Sequence, residues 1–199
     1  LIGVAAAGAH SAFLRRLDAL NDELVDPKLV KTLIAEYKAK HDKDIHVRAL
    51  PDSKLDHSGL RGNAAYIHAL SEVAGDGRTM KLPHVVAHEL GHALSAKQKS
   101  LSSRTHAAGV ITSAIGRMYA ALKESPLGVW ASSLLGISTL FEEWRASGYA
   151  KKVLAEHLSA EDAEKATRAL NAAFGSYAAS MVSQTATVAA VTRFLKSSK

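Results

Sequence analysis

The chain reads as a mainly helical protein with a small antiparallel β-sheet, an α+β arrangement. Three observations predict this. Most apolar residues recur at helical spacing, residues 44–50 alternate polar and apolar with period two, and Gly62-Asn63 supplies a turn ahead of a second short run at 65–70. With 199 residues, 47% of them hydrophobic, the chain can bury the core of one ordinary domain, so residues 1–199 are expected to form a single one.

Taken in order, Ser11 to Leu24 suits an amphipathic helix with Phe13, Leu14, Leu17 and Leu20 on one face. Residues 1–24, with their Ala- and Gly-rich start, are a candidate N-terminal anchor or packing helix. No basic segment precedes that start, so no cleavable signal peptide is expected. Asp26-Pro27 then combines a capping carboxylate with a proline at the first helical position. The helix that follows, to Lys40, carries Leu29, Val30, Leu33, Ile34 and Tyr37 as its apolar stripe.

The next helix begins near Pro83, where a missing N–H is best tolerated, and is apolar on both sides of His88-Glu89-Leu90-Gly91-His92. Further on, Ala107 to Leu122 is interrupted by Arg117. Pro126 to Phe141 is apolar but shorter than the ~20 residues that a spanning helix needs. Ala169 to Thr192 has no charge and is long enough, yet it holds Asn171, Ser176, Gln184, Thr185 and Thr187. It is expected to be a buried helix whose small residues permit close packing.

Lys and Arg outnumber Asp and Glu by 25 to 19, but the basic residues are scattered, which predicts a solvated surface and no nucleic-acid partner. The absence of cysteine excludes disulfides and thiolate metal ligands.

The chemistry is concentrated at residues 88–92. A helix turns about 100° per residue, so His88 and His92 project from one face and can share one ion, while Glu89 stands beside them as a base. A hydrolytic zinc site takes three protein ligands and keeps one position open. The third would come from elsewhere, and Glu142-Glu143 at the end of an apolar helix offers two carboxylates. Adjacent helical residues diverge, so only one can face the metal, and spacing alone does not choose between them. Gly91 costs a helix interior about 1 kcal/mol relative to Ala, which predicts that another backbone or the substrate passes close by.

Val86 to Ala93 resembles the active-site helix of the bacterial membrane-bound neutral zinc metallopeptidases, relatives of the gluzincins. Asp56-His57 with Ala65 to Glu72 looks like the segment upstream of that helix. Glu143-Trp144-Arg145-Ala146-Ser147 is similar to the family's Glu-x-x-Ala-Ser element, and Leu170 to Ala173 with Tyr177 to Ala179 resembles the start of its last apolar helix. Arg145 stands where an acidic residue is common in the family.

The resemblance implies a zincin-like fold, a bound Zn2+, and a ligand set of His88, His92 and Glu143. It also implies an edge strand at Ala65 to Leu70 beside the metal helix, where an extended substrate could add through backbone hydrogen bonds. In such a site Glu89 takes a proton from water and passes it to the leaving amine. His57, Tyr66, Arg145, Tyr149 and Tyr177 are candidate oxyanion donors. His84, one turn before His88, and His68, two residues from Tyr66, are candidate cleft residues, and Ser147 is a candidate support for the ligand carboxylate.

The expected function is therefore that of a zinc-dependent endopeptidase acting on peptide or protein chains. The alternative is a zinc-binding structural or assembly component of the same fold with little or no activity. A further reading treats the pentapeptide as incidental in a helical membrane or binding protein. The apolar helices are candidate contacts for a membrane or a protein assembly, and the location is membrane-associated or cytoplasmic.

Overall fold

The computed structural model describes residues 11, 12, 15, 16, 18–51, 64–67, 70–97, 113, 115–134 and 137–198. The protein is mainly helical, with a three-stranded sheet. Its contacts group into two compact units, one formed by residues 17–99 and 144–171, the other by 1–16, 100–143 and 172–199.

The first unit carries the sheet. Residues 18–23 are helical, and Leu24 and Leu20 that follow the expected stripe pack into its core, while Phe13, Leu14 and Leu17 lie outside the described residues. Helix α1 (Pro27–Lys40) starts as its sequence predicts. The Asp26 carboxylate accepts from the backbone N–H groups of Lys28 and Leu29, both at 3.0 Å, and Pro27 occupies the first turn. Its stripe is split between two clusters. Val30, Ile34 and Tyr37 join the core built around the sheet, whereas Leu29 and Leu33 join one built around Ala150, Leu154, Ala166 and Leu170.

The sheet corrects the expected antiparallel pairing. Strand β1 (His46–Ala49) and strand β2 (Ala64–Ile67) do not pair with each other; β3 (Glu72–Gly75) inserts between them, parallel to β1 and antiparallel to β2. All four residues of β3 are buried. A strand covered on both faces has no polar-apolar alternation to betray it, which is why this one went unpredicted. Its buried Glu72 is held by an ion pair with the Arg48 guanidinium on β1. Arg48 is correspondingly raised in pKa, through that hydrogen bond and the neighbouring charge. Ser71, which leads into β3, has a left-handed backbone (φ 48°), and its carbonyl accepts from His46 N–H at 3.0 Å.

After a short 3-10 turn (Thr79–Lys81) comes helix α2 (Pro83–Lys97), which packs against β2, β3 and α1. Helix α3 (Pro126–Leu134) belongs to the second unit, and helices α4 (Ile137–Ala155) and α5 (Ala160–Ser197) contribute to both. Ser159 opens α5, donating to the Asp162 carboxylate and accepting from the Asp162 N–H.

In the second unit, Ala120, Val129 and Ala189 form a small core, and Ser133 accepts from the Thr185 hydroxyl at 2.9 Å. The expected helix at 169–192 is thus present within α5, but it is half-buried, with Ala169, Thr185, Ala189 and Thr192 inside and Tyr177 and Val191 outside. Ile115, Met118 and Leu122 in the helical residues 115–122, with Leu127 and Leu134 of α3, are exposed. Among the described residues no helix is long and apolar enough to cross a membrane.

Candidate metal centre

Helix α2 is buried along most of its length, and it delivers His88 and Glu89 as buried side chains with His92 half-buried. The two imidazoles stand at 86° to each other, with centroids 4.7 Å apart. Their Nε2 atoms are 3.1 Å apart. Two nitrogens each about 2.0–2.1 Å from one ion at a tetrahedral angle would be about 3.3 Å apart, so these rings stand close to the separation that a shared zinc demands. Together with a Glu89 oxygen, the ligand atoms lie within 4.8 Å of one another.

Gly91 explains how α4 reaches this helix. A Cβ at residue 91 would lie 2.8 Å from both the Cα and the carbonyl oxygen of Ala146, so only hydrogen fits. The backbone approach predicted from the glycine is that of α4. With Ala146 seated on Gly91, the next residue falls beside the first histidine, and Ser147 Oγ is 3.2 Å from His88 Nδ1. Both are buried. When the hydroxyl accepts from Nδ1–H, the lone pair is left on Nε2, the atom that faces His92.

Glu89 has a second anchor. Its Oε2 accepts from the backbone N–H of Tyr66 at 2.7 Å. Tyr66 pairs with Val73, and β2 is an outer strand of the sheet among the described residues, so this N–H points away from β3 toward α2. Tyr66 therefore contributes to the site through its main chain, a role that its side-chain chemistry did not advertise.

The remaining candidates are distributed as follows. His84 is 2% exposed, and its Nε2 lies 2.9 Å from Asn21 Oδ1, outside the cluster of His88, Glu89 and His92. Burial, and after it the neighbouring His88, pushes its pKa down to about 4, so the ring is neutral near pH 7 and donates through Nε2–H to the amide oxygen. Sequence gave no signal for Asn21.

Tyr149 packs edge-on against Tyr37 and His41, and burial raises the pKa of both tyrosines. Tyr177 is exposed on α5, and Arg145 is half-buried on α4. Glu142 is buried and Glu143 half-buried on the same helix, with Ser147 four positions beyond Glu143. His57 and His68 lie outside the described residues. The structure thus brings together His88, Glu89, His92, Ser147 and the Tyr66 main chain.

Comparisons with family models, curated proteins and solved structures give no match to this chain.

Proposed function

We propose that the protein is a zinc-dependent endopeptidase, with Glu89 as general base. The observation that carries this reading is the pair of Nε2 atoms 3.1 Å apart on one buried helix, with Ser147 against the outer nitrogen of His88. A donor set of two imidazoles and carboxylate suits Zn2+.

His88 and His92 are the proposed histidine ligands. Glu143 is the proposed third ligand, as the metallopeptidase resemblance implies. A zinc ion held there supplies Lewis acidity, lowering the pKa of water toward about 7 and polarising a scissile carbonyl. Glu89 accepts the proton from water and returns it to the departing amine, and the Tyr66 N–H keeps its carboxylate in place beside the histidines. The outer position of β2 supports an extended peptide or protein substrate, read through main-chain hydrogen bonds.

Metal content of the wild type, Glu142→Ala and Glu143→Ala, measured side by side by mass spectrometry, tests the ligand set. One zinc per chain, lost in Glu143→Ala alone, is expected, and a metal-free wild type purified without chelator would remove the basis of the proposal. Glu89→Gln should keep zinc and lose peptide hydrolysis; cleavage persisting in that variant would end the assignment of Glu89.

The exposed apolar side chains of α3 favour one second reading, in which the same metal-binding protein serves as a component of a protein assembly or sits against a membrane, with little activity of its own. Stoichiometric zinc without turnover on any peptide would favour it.

A further inference from the structure

The second compact unit holds a cleft of about 200 Å³ where three helical stretches meet. Arg117 lines it from the helical residues 115–122, Thr139 and Leu140 from α4, and Ser180, Met181 and Gln184 from α5. Of the described residues that line it, Arg117 alone is charged.

A guanidinium keeps its charge wherever it is placed. Arg117 is half-buried, while Ile115, Met118 and Tyr119 beside it are exposed, and no described carboxylate pairs with it. A helical side chain leans back over the turn that precedes its own Cα. Ser113, one turn before Arg117, also lines the cleft, so the arginine side chain runs along a face that both residues give to it.

The neutral polar groups add donors. Gln184 Nε2 donates to Ser180 Oγ at 3.1 Å, which leaves the Ser180 hydroxyl hydrogen to donate elsewhere. Thr139 brings another hydroxyl, and Leu140 and Met181 form apolar wall. The unit around the cleft is cationic as well. Its acidic residues are Glu124, Glu142 and Glu143 against eight Lys and Arg, and none of the three lines the cleft. A field of that sign concentrates anions.

A cation, metal or organic, would meet a like charge and no carboxylate there. A bare inorganic anion would leave the apolar wall wet. One guanidinium balances one negative charge, and its fork matches the two oxygens of a carboxylate. For size, a cavity of about 150 Å³ holds benzene, so this cleft has room for a chain of some six carbons. We propose that the cleft binds a small organic monoanion, a carboxylate on a short apolar chain, with its oxygens on Arg117 and the Thr139 and Ser180 hydroxyls and its chain against Leu140 and Met181.

This site is independent of the metal reading and stands or falls separately. The test is calorimetric titration of the full chain with sodium hexanoate, with hexylammonium chloride as the cation of similar length and inorganic phosphate as the anion without a chain. Arg117→Gln removes the charge, and Leu140→Trp fills the cleft while leaving Arg117 in place. Lys123→Gln removes an exposed charge of the same unit that does not line the cleft.

Saturable binding of one hexanoate per wild-type chain is expected, weakened about tenfold or more in Arg117→Gln and in Leu140→Trp and unchanged in Lys123→Gln, with no binding of hexylammonium and weaker binding of phosphate. Should Arg117→Gln fail to fold, Leu140→Trp carries the comparison. Absence of saturable binding to the wild type, equal binding to the folded cleft variants, an equal loss in Lys123→Gln, or binding of hexylammonium or phosphate as tight as that of hexanoate would each overturn the proposal.

Discussion

Ser147 Oγ and His88 Nδ1 lie 3.2 Å apart in the buried layer between α4 and α2, and in the proposed zinc site an Nδ1–H donated to this hydroxyl would leave Nε2 to bind the ion. Removing an outer partner of a metal-binding histidine typically lowers metal affinity about 10- to 100-fold. Ser147→Ala should show a loss of that size in competition against a chelator, with little change in helix content. Ser147→Thr keeps the hydroxyl and should retain most of the affinity. Equal zinc affinity in wild type and Ser147→Ala would show that the contact does not orient the ring.

Gly91 and Ala146 give a packing test that is independent of metal. An alanine at residue 91 gains helix propensity by about 1 kcal/mol but drives its methyl into backbone atoms of Ala146, which have no side-chain freedom with which to yield. Overpacking of this kind costs about 1–3 kcal/mol, so the net effect of Gly91→Ala should be destabilising. Urea unfolding should show a lower midpoint at similar slope. A midpoint equal to or above that of the wild type would contradict the close approach.

Asp26→Ala should destabilise the protein by about 1 kcal/mol, because two N–H groups at the start of α1 lose their acceptor. Asp26→Asn, which retains an acceptor oxygen, should recover most of the loss. Identical unfolding midpoints for Asp26→Ala and wild type would remove the cap from the account of this helix.

His84 predicts a pH dependence with a definite sign. Its folded pKa, about 4, lies below the ordinary histidine value of about 6.5, so the unfolded chain takes up the proton more readily. The contribution of the neutral ring is fully present above pH ~6.5 and is lost as the pH falls toward 4. Its Nε2 is paired with Asn21, and His88 on its own helix is the titratable neighbour that lowers it further. Unfolding free energies at several pH values between 4 and 7 should fall less steeply in His84→Phe than in wild type. Parallel curves would show that His84 does not govern this window.

Helix α1 was legible in the sequence because Asp26, Pro27 and the stripe from Leu29 to Tyr37 agree with one another. Helix α2 was legible for the same reason, and Gly91 announced a close neighbour without naming it. The sheet was misread because Glu72-Val73-Ala74-Gly75 has one β-branched residue and no alternation, and because its position between β1 and β2 depends on burial from both faces. Tyr66 was singled out for its hydroxyl, whereas the site uses its N–H, a group that every residue but proline owns. Asn21 was invisible because its pairing with His84 spans 63 positions and follows no local pattern.

The bond between the Tyr66 N–H and Glu89 also bears on the solution behaviour of the protein. An outer strand is a template for another copy where its main-chain groups are unmet, and here the glutamate side chain meets one of the donors of β2. Glutamine at residue 89 retains an oxygen acceptor for that donor, while alanine leaves it bare. Glu89→Ala is thus expected to scatter more light on concentration than Glu89→Gln, which makes the amide variant the better choice for trapping a bound peptide.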